Sequence, residues 1–302
     1  MTALAELRQA VPLCAVDELH VCQDLELTAT KTISATDPYL SGHYPGRPIY
    51  PGVFVIESVL QAARRYLGEQ ALAVAAVESV RLNAPLLPGD TMRITLSFNR
   101  LPDEQVRVRA RCARADGSLA ASVDLRCVGL ARRYTLAADG EPAGVLCTGA
   151  WHGNLPDVHD LLPHRPPILL VDEIREYAPG MAVAEYVVRD TEPCYAGGDL
   201  GVTCYPDTLV LESFVQAAAA LFVLERGDLH GRTLVLGSAR GVRFGEPVLA
   251  GEVISHRVHL DRLTGDTALL RGASSVHGRA CLEVTSVVLA ARAGLAEPGI
   301  AR

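Results

Sequence analysis

The chain has 302 residues, 49% of them hydrophobic, enough apolar surface for two cores of ordinary domain size. Its formal charge of −7 comes with no clustered Lys/Arg excess, which excludes a protein that tracks nucleic-acid phosphates. The first ten residues lack a basic start and an apolar core, no run of about 18 apolar residues is found, and the eight cysteines fall in no Cys-x-x-Cys or Cys/His ligand spacing. A cytoplasmic protein with reduced thiols, no leader, no membrane span and no metal site is therefore expected.

In chain order, Val16-Asp17-Glu18-Leu19 opens the first patterned segment, and Asp37-Pro38-Tyr39-Leu40-Ser41-Gly42 leads into a Pro/Gly-rich loop. From Val53 to Leu67 apolar and small residues run almost unbroken to Gly68, which predicts a largely buried helix with a glycine stop. Met92 to Phe98 and Val106 to Arg111 alternate apolar with polar, and Asp116-Gly117 punctuates them, so they read as half-buried antiparallel strands. Arg132 to Asn154 is rich in Ala, Gly and small polar residues without a sustained period, and reads as a linker over 131–155.

The chain then repeats itself. At an offset of 155, Val16–Leu19 falls on Val171-Asp172-Glu173-Ile174, Asp37–Gly42 on Glu192-Pro193-Cys194-Tyr195-Ala196-Gly197, and Ile56-Glu57-Ser58-Val59-Leu60-Gln61-Ala62-Ala63 on Leu211-Glu212-Ser213-Phe214-Val215-Gln216-Ala217-Ala218. Beyond this second helix, expected from about Thr208 to Leu224, the offset becomes 162 and carries Val80-Arg81-Leu82 onto Val242-Arg243-Phe244. The second half thus holds seven extra residues (162 − 155) around Arg226 to Thr233. One buried helix against an antiparallel sheet, twice, is an α+β architecture with units at 1–130 and 156–295.

The run Gly42-His43-Tyr44-Pro45-Gly46-Arg47-Pro48-Ile49-Tyr50-Pro51-Gly52-Val53-Phe54-Val55-Ile56-Glu57 closely resembles the signature of the β-hydroxyacyl-acyl carrier protein dehydratases of fatty-acid synthesis. Leu161-Leu162-Pro163-His164-Arg165-Pro166-Pro167-Ile168-Leu169-Leu170-Val171-Asp172 is similar to the opening segment of the same family. The resemblance implies a double hotdog: two antiparallel sheets, each wrapped around a central helix, joined as a pseudo-dimer on one chain, as in polyketide synthase dehydratases. It further implies a substrate on the phosphopantetheine of an acyl carrier protein and no metal or redox cofactor; from charge and hydropathy no nucleic-acid or membrane partner is expected. Further assembly of such pseudo-dimers into a dimer or a higher oligomer stays open.

In that family a histidine of one unit faces a carboxylate on the helix of the other, which here pairs His43 with Glu212. The family's thioester-carbonyl contact, a backbone N–H nine residues after the histidine, becomes that of Gly52. The reciprocal site would join Glu57 with position 198, which is Gly198, and position 207, which is Asp207, so it is expected to be degenerate. His164 lies where the family's histidine is not the base and is read as structural. Gln61 and Gln216 sit one turn beyond their glutamates, and Gln216 is expected to orient Glu212.

The chemistry asks for these residue types. Removing an α-proton from a thioester needs a base while the carbonyl oxygen is stabilised, and His43 has a suitable ordinary pKa near 6.5. The N–H at the start of a helix favours negative charge, and Glu212 can hand a proton to the leaving hydroxyl once burial among Val210, Leu211, Phe214 and Val215 raises its pKa. A hotdog acyl thioesterase is the alternative that uses the same helix carboxylate, and a non-catalytic acyl-binding partner subunit is a third. Neither explains His43, Gly52 and Glu212 being present together.

Overall fold

The computed structural model describes residues 8–10, 13–21, 26–68, 72–129, 155–196, 203–227, 229 and 232–293, so the linker expected over 131–155 and Gly198 lie outside the described residues apart from position 155. The first half runs β1 (Arg8–Gln9), β2 (Glu18–Val21), β3 (Glu26–Thr32), α1 (Gly52–Leu67), β4 (Leu72–Leu82), β5 (Thr91–Arg100), β6 (Val106–Ala113) and β7 (Leu119–Gly129). After α2 (Val158–Leu161) the second half runs β8 (Glu173–Ala178), β9 (Met181–Val187), β10 (Thr203–Cys204), α3 (Asp207–Arg226), β11 (Arg232–Phe244), β12 (Val253–Thr264), β13 (Thr267–Val276) and β14 (Arg279–Ala293).

The strands form where apolar residues alternate: in β5, Met92, Ile94 and Leu96 are buried while Arg93, Thr95 and Ser97 face solvent. Gly68 ends α1 in the left-handed region at φ 66°, its N–H donating to the Arg64 carbonyl. Helix α3 is buried from Asp207 to Phe222 and runs to Arg226, so the seven-residue excess of the second half begins with one more helical turn. By length and composition α3 could cross a membrane, but 89% of its apolar window is buried inside this fold.

All strands except β1 and β10 join one sheet in the order β2-β3-β5-β6-β7-β4-β11-β14-β13-β12-β9-β8, each half wrapping its own helix in the expected hotdog manner. The two halves meet along β4 and β11, which pair antiparallel: Val80 lies opposite Ala239 and Val77 opposite Val242. At the 162 offset these are the same pair taken twice, as are Arg81 with Ser238 and Ala76 with Arg243, so the seam carries an internal two-fold axis. A smaller parallel pair, β1 with β10, also crosses between the halves.

The repeat extends to single hydrogen bonds. Gln61 accepts from the Ala15 N–H at 3.0 Å and donates to the Leu13 carbonyl at 3.0 Å, tethering α1 to the segment before β2. Gln216 does the same in α3 with the Leu170 N–H at 2.8 Å and the Ile168 carbonyl at 2.7 Å, both partners shifted by 155. On the fold's axis the Tyr39 hydroxyl accepts from the backbone N–H of Cys194, its own equivalent in the other half, at 3.0 Å.

That bond yields a test of how the halves cohere. Tyr39 is fully buried, so Tyr39→Phe strands the Cys194 N–H away from water and is expected to cost about 1–3 kcal/mol, measured by denaturant unfolding.

Candidate active site

Gly42 ends a 3-10 turn over Leu40–Gly42 and His43 follows it, and the second half clamps them: the Arg165 N–H donates to the Gly42 carbonyl at 2.9 Å. The approach is close enough that any side chain at Gly42 would run into the Arg165 carbonyl, which accounts for glycine at this position. The neighbouring Tyr44 adopts φ 62° and sends its hydroxyl across the seam to the Leu234 carbonyl. The loop that presents His43 is thus held by two segments of the other half.

His43 is buried, and its Nδ1 lies 2.6 Å from the Ile49 carbonyl. A carbonyl can only accept, so Nδ1 carries the proton and Nε2 is left with its lone pair. Burial pushes the His43 pKa down to about 4, the bond to Ile49 offsetting only part of the shift, so the ring is neutral well into the acid range. The ordinary value near 6.5 expected from residue type does not survive the loop's enclosure.

Glu212, on the second turn of α3, lines the same cavity of about 240 Å³ as His43, Gly52 and Gln216. Gln216 donates from Nε2 to Glu212 Oε1 at 2.9 Å, and because its remaining bonds are to Leu170 and Ile168 its own position is fixed. Desolvation raises the Glu212 pKa to about 7 despite that hydrogen bond, which acts in the opposite direction. A neutral imidazole with a free lone pair and a carboxylic acid able to hold its proton near neutrality therefore share one enclosure.

Gly52 begins α1, so its N–H is among those at a helix start with no intrahelical partner. The space a side chain would take there is filled by the Leu82 methyl group, which gives a packing reason for glycine at this position. His164, read from sequence as structural, lies in the cavity wall: its Nε2 is 3.8 Å from Glu212 Oε1, and its ring centroid is 5.2 Å from those of His43 and Tyr44. Its Nδ1 is buried without a hydrogen-bond partner among the described residues. The clamp at Arg165 draws the preceding histidine inward, a placement that the sequence did not indicate.

The other glutamate meets a different environment. Glu57 accepts from Gln61 Nε2 at 2.9 Å, from the Thr208 hydroxyl of the other half at 3.1 Å, and lies 4.0 Å from Arg64 Nη1. Two donors and a nearby cation thus hold this carboxylate in place. Asp207 is the first residue of α3 and is buried there, while Gly198 lies outside the described residues.

The raised pKa of Glu212 has a consequence for stability. A carboxyl that holds its proton more tightly folded than unfolded stabilises the fold at low pH, and that contribution is lost as pH rises through about 7. Glu212→Gln is therefore expected to gain stability on the wild-type chain as pH is raised from about 4.5 to about 7 and to gain little more above that, read as a gap between their denaturation midpoints that widens and then levels off.

Residues 20–123 match the ApeI-like family, described as ApeI dehydratase, and residues 162–285 match the FabA-like domain family. Over 109 residues the chain is 32% identical to the 3-hydroxyacyl-[acyl-carrier-protein] dehydratase FabZ of Proteus mirabilis, covering 33% of this chain and 72% of that one. Over 126 residues it is 30% identical to the FabZ of Clostridium perfringens, covering 42% of this chain and 90% of that one. The dehydratase domain of PpsC from Mycobacterium tuberculosis superposes with TM-score 0.64 at 15% identity, over 94% of this chain and all (100%) of that one. That of RzxB from Pseudomonas fluorescens gives 0.66 at 11%, over 92% and 99%. The structural likeness shows the shared double-hotdog fold, and the sequence likeness shows that the chain belongs to the FabZ family of 3-hydroxyacyl-[acyl-carrier-protein] dehydratases.

Proposed function

We propose that the chain removes water from a 3-hydroxyacyl thioester, carried on the phosphopantetheine of an acyl carrier protein, to give the α,β-enoyl thioester in cytoplasmic fatty-acid or polyketide synthesis. The observation that carries this reading is the pairing, in one cavity, of a histidine held neutral with a glutamate whose pKa is raised to about 7.

In the proposed step His43 Nε2 takes the α-proton, and the Gly52 N–H steadies the charge that builds on the thioester oxygen. The Cα–H electron pair becomes the double bond as the β-hydroxyl leaves with the proton of Glu212, so the products are enoyl thioester and water. His43 then carries a proton and Glu212 a negative charge. Burial disfavours each charge alone, but formed together they offset one another, so the two transfers are coupled. Gln216 holds the Glu212 carboxyl in place throughout. No metal or redox group takes part.

A thioesterase would use the helix carboxylate as a base or nucleophile, for which it must be ionised. The apolar enclosure of Glu212 works against that and favours the acid role. The half of the molecule around Glu57 has Asp207 in place of Gly52 and Gly198 in place of His43, and we assign it a structural role. One composite site per chain follows from that assignment.

Dehydration should therefore survive in Glu57→Gln and fall by about 100-fold or more in His43→Ala and in Glu212→Gln, the scale of a positioned acid or base. The double variant should be scarcely slower than either, since groups serving one step behave as a unit. Water loss from a hydroxyacyl-carrier protein followed by mass spectrometry, with folding checked by circular dichroism, decides the assignment. Loss of turnover in Glu57→Gln but not in Glu212→Gln would refute the composite site.

The pH dependence has its own signature. His43 must be neutral, above about 4, and Glu212 protonated, below about 7, so kcat/KM should fall on the alkaline side near 7 and on the acid side near 4. An alkaline limb that persists in a residually active Glu212→Gln would assign the acid to another group.

A further inference from the structure

The side chains placed around the reacting position also compose a ligand set. We propose that the chain binds one Zn²⁺ ion through His43, His164 and Glu212, and that the ion closes the site to substrate as a reversible inhibitor. The inhibitory part rests on the dehydratase reading of this cavity; the binding part does not.

One donor atom from each of the three residues, all buried, lies within 4.8 Å of the other two. Two imidazoles and a carboxylate with an open fourth position are a donor set that zinc accepts, at about 2.0–2.2 Å from the metal, which separates tetrahedral ligands by roughly 3.3 Å. The cluster must therefore contract by about 1.5 Å at most. The residue best able to move is His164, because its buried Nδ1 has no hydrogen bond among the described residues to break.

The other two ligands already have the outer partners that metal-binding side chains use. Bonding of His43 Nδ1 to the Ile49 carbonyl fixes the tautomer that offers Nε2, and Gln216 orients the Glu212 carboxylate. The fourth position opens into the cavity of about 240 Å³, where a water completes the shell. Among the described residues no comparable cluster surrounds Glu57, whose carboxylate is bonded to Gln61 and Thr208, and the position repeat-related to His43 is Gly198.

An ion there would hold both groups that the reaction needs free: the Nε2 lone pair and the Glu212 proton. Inhibition should be competitive with the hydroxyacyl thioester and reversed by EDTA. The set joins both halves, so bound zinc would also hold the His43 loop of one unit to the helix of the other.

The test titrates the full chain with ZnCl₂ by calorimetry, and with Co²⁺ by its visible ligand-field bands, in a Cys14→Ser background because Cys14 is an exposed thiol. One ion per chain is expected, with affinity at least about tenfold weaker in His164→Ala and in Glu212→Gln and unchanged in Glu57→Gln. Should His164→Ala misfold, competition decides in the unmutated site: an enoyl thioester must raise the apparent zinc Kd. No binding, binding that survives His164→Ala, or binding indifferent to the thioester overturns the proposal. Dehydration with no zinc uptake retires this inference alone. Zinc uptake by the unmutated site together with normal turnover in Glu212→Gln retires the assigned acid and leaves the metal site standing, whereas undiminished zinc affinity in Glu212→Gln overturns the metal site.

Discussion

Antiparallel pairing of β4 with β11 is the contact on which the rest of the molecule depends. It turns two curved sheets into one, sets the two central helices against each other, and brings the His43 loop of one half over the helix of the other. Because the side-chain period of a strand is two, slipping this seam by one residue would turn every inward side chain of one half outward. The reciprocal pairs Val80 with Ala239 and Val77 with Val242 leave little freedom for such a slip. Placement of the reacting groups is therefore a by-product of sheet register, reinforced locally by the Arg165 clamp on Gly42.

The contrast between the two glutamates shows how little is needed to separate two roles. Both lie at the same turn of matching helices and both accept from a glutamine one turn on. Glu57 gains a threonine hydroxyl and a nearby arginine, whereas Glu212 faces a cavity wall and two histidines held neutral by burial. Donors and a cation tie the first in place. Desolvation, offset only in part by the Gln216 bond, raises the pKa of the second to about 7.

Much of this was legible in the residues. The offsets of 155 and 162 recur in three dimensions down to the partners of Gln61 and Gln216, because a duplicated domain keeps its local bonds. Helix α1 was placed within one residue of its start, and α3 fell short by two at its end, where the inserted residues extend it. The cross-half pairing of His43 with Glu212 followed from the family resemblance, but other contacts between the halves escaped. His164 follows no periodicity that points inward; it enters the cavity because its neighbour Arg165 bonds to Gly42. The same holds for Tyr44, whose partner Leu234 is 190 residues away, and for the low pKa of His43, which reflects enclosure by the other half. Distance along the chain, not weakness of the signal, hid them.

Thr208 reaching over to Glu57 carries a further consequence. In a homodimer of single units every position is occupied twice, so a threonine there would bond both helix glutamates or neither. Its repeat-related counterpart here is Val53, which has no hydroxyl to offer. Covalent fusion removes the rule that symmetry-related positions must be identical, and it lets one glutamate be tied down while its twin is left under-solvated. The linked chain can therefore hold an internal division of labour that two separate copies of one sequence could not encode.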